Sequence, residues 1–111
     1  MTKYLFVYWT PNRPSTPPSP EQMQEMLQAW SNWKAQFSNE VLDMGDGLLP
    51  GGKILRDNDV LDGPLPEAKE IVGGFSVIQA RDYEAALEVA RCCPIHHMPE
   101  ASIEIRQLAG Y

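Results

Sequence analysis

The run Val60-Leu61-Asp62-Gly63-Pro64-Leu65-Pro66-Glu67-Ala68-Lys69-Glu70-Ile71-Val72-Gly73-Gly74-Phe75-Ser76-Val77-Ile78 divides the chain into two halves of similar make-up. It opens on an Asp62-Gly63-Pro64 turn, because glycine tolerates unusual backbone angles, proline presets one, and aspartate bonds its own backbone. A charged cluster follows, Glu67, Lys69 and Glu70, and then an apolar strand expected over Glu70 to Gln79. Gly73-Gly74 interrupts that strand. Two missing side chains permit either a bulge or the close approach of another backbone or a ligand, and the bulge is the preferred reading.

Working back from this hinge, Lys53-Ile54-Leu55 faces Val60-Leu61 across Arg56-Asp57-Asn58-Asp59, a small hairpin with turn-forming residues at its tip. Val41 to Leu49 reads as a short strand whose Gly45 and Gly47 mark a bulge or close backbone approach. A helix is expected from Ser19-Pro20-Glu21-Gln22, which supplies a hydroxyl cap, proline at the first helical position and a reciprocal cap, to about Ser38, with Asn39 as a left-handed stop. Met23, Met26, Leu27, Trp30, Trp33 and Phe37 recur at three- and four-residue steps and form the stripe expected to pack on the sheet. Pro11, Pro14, Pro17, Pro18 and Pro20 stiffen the connection before it. Its Pro-x-x-Pro spacings would also suit a proline-binding domain, but a rigid loop is the simpler reading. Lys3 to Trp9, β-branched and aromatic without polar alternation, reads as a central strand covered on both faces.

Working forward, Asp82 caps a second helix with Tyr83, Ala86, Leu87 and Ala90 on one face, ended by Pro94. Ser102 to Leu108 alternates, Ile103 and Ile105 against Glu104 and Arg106, as a half-exposed strand does. The order matches a split βαβ pair: an α+β, ferredoxin-like domain spanning residues 1–111, with two helices on one face of an antiparallel sheet. Leu5, Val7 and Trp9 lie on the opposite face from Tyr4, Phe6 and Tyr8, and that second apolar face needs a cover. A homodimer packed sheet to sheet is the expected solution.

Composition narrows the function. One domain fits 111 residues, and the longest apolar run, Tyr4 to Trp9, is too short for a membrane span or signal peptide, so a soluble, cytoplasmic protein is expected. A net charge of −6 without a basic stripe argues against a nucleic-acid partner. Cys92 and Cys93 are adjacent and read as reduced thiols. His96 and His97 are also adjacent and lack the one-turn spacing that aims two imidazoles at one metal, so neither a metal nor a cofactor is expected.

The chain resembles the YCII-related family in its Asp-Gly-Pro-Phe branch. Asp62 to Glu70 resembles the branch motif with Leu65 for phenylalanine and Ala68 for threonine. Gly73-Gly74-Phe75, Asp82 with Ala85-Ala86-Leu87 and Ala90, and Ile103-Glu104-Ile105-Arg106 resemble its later strands and helix. The resemblance implies a dimeric α/β barrel of ferredoxin-like subunits with a cleft between helices and sheet. It also implies a histidine in the first helix and an aspartate before a proline after the second, an acid-base dyad. Neither is present: no histidine lies between Glu21 and Glu40, and Cys93 precedes Pro94.

The candidate ligand-binding residues are Tyr8, Trp30, Trp33, Asp62, Lys69, Cys93 and His97. Asp62 with Lys69 as its positive partner would suit an acid at a cleft mouth, whereas the plainer reading is a structural turn. Tyr8 either donates its hydroxyl into the cleft or packs at the dimer interface, and Trp30 and Trp33 either line a cleft or fill the core. Cys93, at a helix C-terminus where the dipole disfavours a thiolate, reads as an inert buried thiol unless His96 or His97 supplies a cation. The leading expectation is a dimeric small-molecule binding or regulatory module. The alternative is an enzyme performing acid-base chemistry with Asp62, Tyr8 or His97.

Overall fold

Thr2–Pro11 (β1) and Glu70–Ala80 (β5) run antiparallel at the centre of a four-stranded sheet. Val41–Gly47 (β2) pairs with the far side of β5, and Ser102–Gln107 (β6) pairs with the far side of β1, giving the order β2-β5-β1-β6. The computed structural model describes residues 1–14 and 16–111. Pro20–Gln36 (α1) and Tyr83–Arg91 (α2) supply the helices, and the expected α+β, ferredoxin-like arrangement is what the chain adopts.

Alternation along the two central strands decides which side is the core. Tyr4, Phe6 and Tyr8 from β1 and Ser76, Ile78 and Ala80 from β5 are buried with Trp33 of α1 and Ala86, Val89 and Ala90 of α2. Trp33 is the largest of these, 2% exposed, and its indole N–H donates to the Val89 carbonyl at 3.0 Å. One side chain thus ties α1 to α2, and its burial alone stabilises the fold by about 3 kcal/mol. The opposite residues, Leu5, Val7, Trp9, Phe75 and Val77, are half-buried on the outer face. Within one chain β1 is therefore covered on one face, not both.

Both helix starts follow the capping chemistry read from sequence. The Gln22 N–H donates to Ser19 Oγ at 3.1 Å while the Ser19 N–H donates to Gln22 Oε1 at 2.9 Å. The Ala85 N–H donates to Asp82 Oδ1 at 2.9 Å, which holds the Asp82 carboxyl below the usual range. The end of α1 differs from expectation. The helix stops at Gln36, Phe37 leaves at φ −113°, and Asn39 takes no left-handed conformation. Among the described residues, positive φ outside glycine occurs at Asp57, Asn58 and Glu100.

Lys53–Arg56 (β3) and Asp59–Asp62 (β4) form a separate two-stranded hairpin turned by Asp57 and Asn58, whose φ values of 49° and 79° suit a tight mirror-image turn. The proline-rich connection runs past residue 12, with Ser15 outside the described residues. Asn12 anchors its start on the central stretch, its N–H donating to the Lys69 carbonyl at 2.9 Å and its side-chain amide to the Ala68 carbonyl at 2.8 Å.

Candidate functional site

The helical stripe of α1 does not pack along its whole length. Trp33 is buried and Trp30 and Phe37 half-buried, but Met23 is 43%, Met26 41% and Leu27 61% exposed. The expectation that all six lie on the sheet is therefore corrected: the first half of α1 stands off. The indole–carbonyl bond to α2 holds the second half down, and opposite the first half β2 is bulged. Gly45 sits at φ +72°, and a Cβ there would lie 1.8 Å from the Phe75 carbonyl oxygen, so glycine alone lets β2 and β5 approach this closely. Asp43 Oδ1 accepts from the Gly45 N–H and Asp46 Oδ1 from the Gly47 N–H, both at 2.8 Å, which fixes the bulge. On β5 the expected irregularity falls at Gly73, left over where Tyr8 pairs with Gly74 and Trp9 with Val72.

Between these parts lies an open cleft of about 320 Å³. Tyr8 and Trp30 form its inner wall, their rings 5.6 Å apart and edge to face. Met23, Met26, Met44 and Met98 contribute four of the five methionines in the chain, Leu27 and Ile95 add aliphatic surface, and the glycine bulges supply the backbone side. Among the described residues, Asp46, at the bulge, is the sole charged one in the lining.

Behind the Tyr8 ring its hydroxyl is fully engaged. It donates to Ser76 Oγ at 2.7 Å, Ser76 donates to the Met44 carbonyl at 2.7 Å, and the Cys93 thiol donates to the Tyr8 oxygen at 3.6 Å. Burial raises the Tyr8 phenol well above its ordinary range, with the adjacent Cys93 adding to the effect. Burial likewise raises the Cys93 thiol. Both groups stay protonated at neutral pH, and neither offers a base or a thiolate to a ligand.

The sequence candidates thus separate. Tyr8 and Trp30 are in the cleft wall, whereas Trp33 lies in the core and Cys93 is buried behind Tyr8. Tyr8 neither donates into the cleft nor faces the outer side of the sheet, so both readings of it are corrected: its ring lines the cleft and its hydroxyl belongs to the core. Asp62 and Lys69 are exposed, and the pairing proposed between them is replaced by another: Asp62 Oδ1 accepts from Lys53 Nζ at 2.5 Å across the hairpin. His97 is exposed in the 3-10 turn Pro94–His97, and its neighbour His96 has Nε2 2.8 Å from the Ala90 carbonyl. Among the described residues no three His, Cys, Asp or Glu side chains converge, and no helix is long and apolar enough to cross a membrane. The cleft residues missed by sequence reading, chiefly Met23, Met26, Leu27, Met44 and Met98, share the apolar character of core positions. Gly45 and Gly47 did carry the signal of a close backbone approach.

Residues 4–109 match the YCII-related domain. The chain belongs to the YCII-related family. No curated protein matches this YCII-related chain. The acid-base pair that the resemblance implies is not found here: α1 carries no histidine, and the buried Cys93 precedes Pro94.

Proposed function

We propose that this YCII-related protein is a small-molecule binding or regulatory module, without acid-base chemistry of its own, whose ligand enters the cleft beneath the first half of α1. The observation that carries this reading is the cleft lining, apolar on nearly every side, with its single phenol bonded away from the ligand space. Binding sites of this kind are concave, mostly apolar and largely formed before the ligand arrives. An enzyme working by proton transfer requires a titratable group within hydrogen-bond reach of its substrate. Of the groups considered for that role, Asp62 and His97 are exposed outside the lining and Tyr8 is committed to Ser76, while the carboxylate of the lining, Asp46, is solvent-exposed, bonded to the Gly47 N–H, and has no acid-base partner beside it among the described residues.

The test is titration with a neutral apolar probe, tert-butylbenzene, followed by tryptophan fluorescence in a Trp9→Phe background, where Trp30 is the tryptophan that lines the cleft. Saturable binding is expected, retained in Tyr8→Phe and lost in Met26→Lys. Absence of saturable binding to the wild-type chain, or binding indifferent to Met26→Lys, overturns the reading.

The assignment to the Asp-Gly-Pro-Phe branch rests on Asp62 to Glu70, and the proposed homodimer on the outer sheet face. Leu5, Val7, Trp9, Phe75 and Val77 form a continuous half-buried apolar patch across β1 and β5. The Trp9 indole N–H donates to Glu104 Oε1 at 2.8 Å, which orders its rim. A second copy placed face to face would cover it. Light scattering at micromolar concentration should give twice 12.5 kDa, and a monomer rejects the assembly.

A further inference from the structure

The charge of the cleft is one-sided. Among the described residues, Asp46 is its only ionisable one apart from the engaged Tyr8, and neither lysine, arginine nor histidine is in the lining. Asp46 Oδ1 takes the Gly47 N–H, while Oδ2 takes part in no hydrogen bond or ion pair among the described residues. The carboxylate is thus held in place by its own turn with one oxygen left for another partner. The half-buried Trp30 borders the same space, with the almost fully buried Tyr8 ring edge to face against it, and aromatic rings attract cations. Four thioether sulfurs add soft, polarisable surface that adapts to ligands of differing shape. The whole chain carries a net charge of −6, which raises the local concentration of cations and lowers that of anions.

We infer that the cleft selects apolar ligands bearing a positive end, of the class of aryl ammonium compounds, with the apolar body among the methionines and the cationic end between Asp46 and the aromatic wall. The inference rests on the cleft being the binding site. It adds a sign to the ligand that the apolar lining alone does not supply. An anionic ligand such as an aryl carboxylate has no counter-charge here and meets Asp46 instead. Asp46 is solvent-exposed, so its pull is screened and the preference is modest.

The test compares three probes of similar size: phenyltrimethylammonium, its neutral isostere tert-butylbenzene, and benzoate. Dissociation constants are read from tryptophan fluorescence in the same Trp9→Phe background at low and at moderate salt. The ammonium should bind about three- to tenfold more tightly than the neutral isostere at low salt, as expected for exposed cation–aromatic and ion contacts. Benzoate should bind most weakly. Asp46→Asn should weaken phenyltrimethylammonium more than tert-butylbenzene and so narrow the gap between them, and added salt should narrow it in the wild type. Equal affinity for ammonium and isostere, or a preference that survives Asp46→Asn, overturns the inference and leaves the apolar site standing. Failure of all three probes to bind removes the site itself.

Discussion

The Tyr8 hydroxyl donates to Ser76 Oγ across 2.7 Å in the buried layer beneath the helices, and the Ser76 hydroxyl in turn donates to the Met44 carbonyl. The bond joins the two central strands, and its continuation reaches the bulged edge strand β2. Removing either hydroxyl has different consequences. Tyr8→Phe leaves Ser76 its acceptor and keeps the ring in the cleft wall, so a loss of about 1 kcal/mol is expected. Ser76→Ala strands both the phenol and the Met44 carbonyl and should cost about 2 kcal/mol or more. Urea denaturation of the two variants checks the order, and the double variant should lose less than the sum.

Burial holds the Tyr8 phenol and the Cys93 thiol above their ordinary values of 10.0 and 9.0. The unfolded chain therefore releases these protons first as pH rises, and the native state binds more protons than the unfolded state. Their stabilising contribution is complete below about pH 9 and declines as the medium becomes more alkaline. The urea midpoint should fall between about pH 9 and 11, less steeply in Tyr8→Phe/Cys93→Ala. In the native protein one thiol, that of the exposed Cys92, should react promptly with a disulfide reagent, and both should react after unfolding.

Asp62 pairs with Lys53 on a hairpin where their side chains are 88% and 71% exposed. A pair so open to solvent contributes less than about 1 kcal/mol. Asp62→Asn is expected to shift the thermal midpoint by a few degrees at most and to leave probe affinity untouched. A large loss of binding in this variant would return the motif's aspartate to the site.

Gly45 tolerates no side chain. A methyl group would meet the Phe75 carbonyl oxygen at 1.8 Å in a backbone already at positive φ, so Gly45→Ala should cost about 3 kcal/mol or force β2 away from β5. Hydrogen exchange at the amides of β2 distinguishes these outcomes from a silent substitution. Gly51, also at positive φ but with open space around it, supplies the control: Gly51→Ala should cost about 1 kcal/mol.

The elements were legible because their information is local. Ser19 with Gln22, Asp82, the alternation around Ile103, and the Gly73 bulge each act within a few residues of themselves, and the structure uses them as read. The cleft was legible only in part. Periodicity places Met23, Met26, Leu27 and Trp33 on one helix face, but how far that face descends depends on the Val89 carbonyl and the Gly45 bulge, distant in sequence. The same limit explains Asp62: its turn was foreseeable, while its choice of Lys53 over Lys69 depends on the register of a hairpin.

The extra residue at Gly73 changes which half of β5 points where. From Gly74 onward the even-numbered residues enter the core, but on the other side of the bulge Ile71 pairs with the inward-facing Thr10 and Val72 with the outward-facing Trp9. The strand thus contains a parity switch. Deleting the single residue 73 would give an uninterrupted two-residue alternation and a more conventional-looking strand. Trp9 would still face Val72 and Thr10 would still face Ile71, so neither residue would change direction. The bulge thus confines tolerance of a one-residue deletion to the glycine pair, whereas elsewhere along β5 the same loss turns the residues beyond it to the other face.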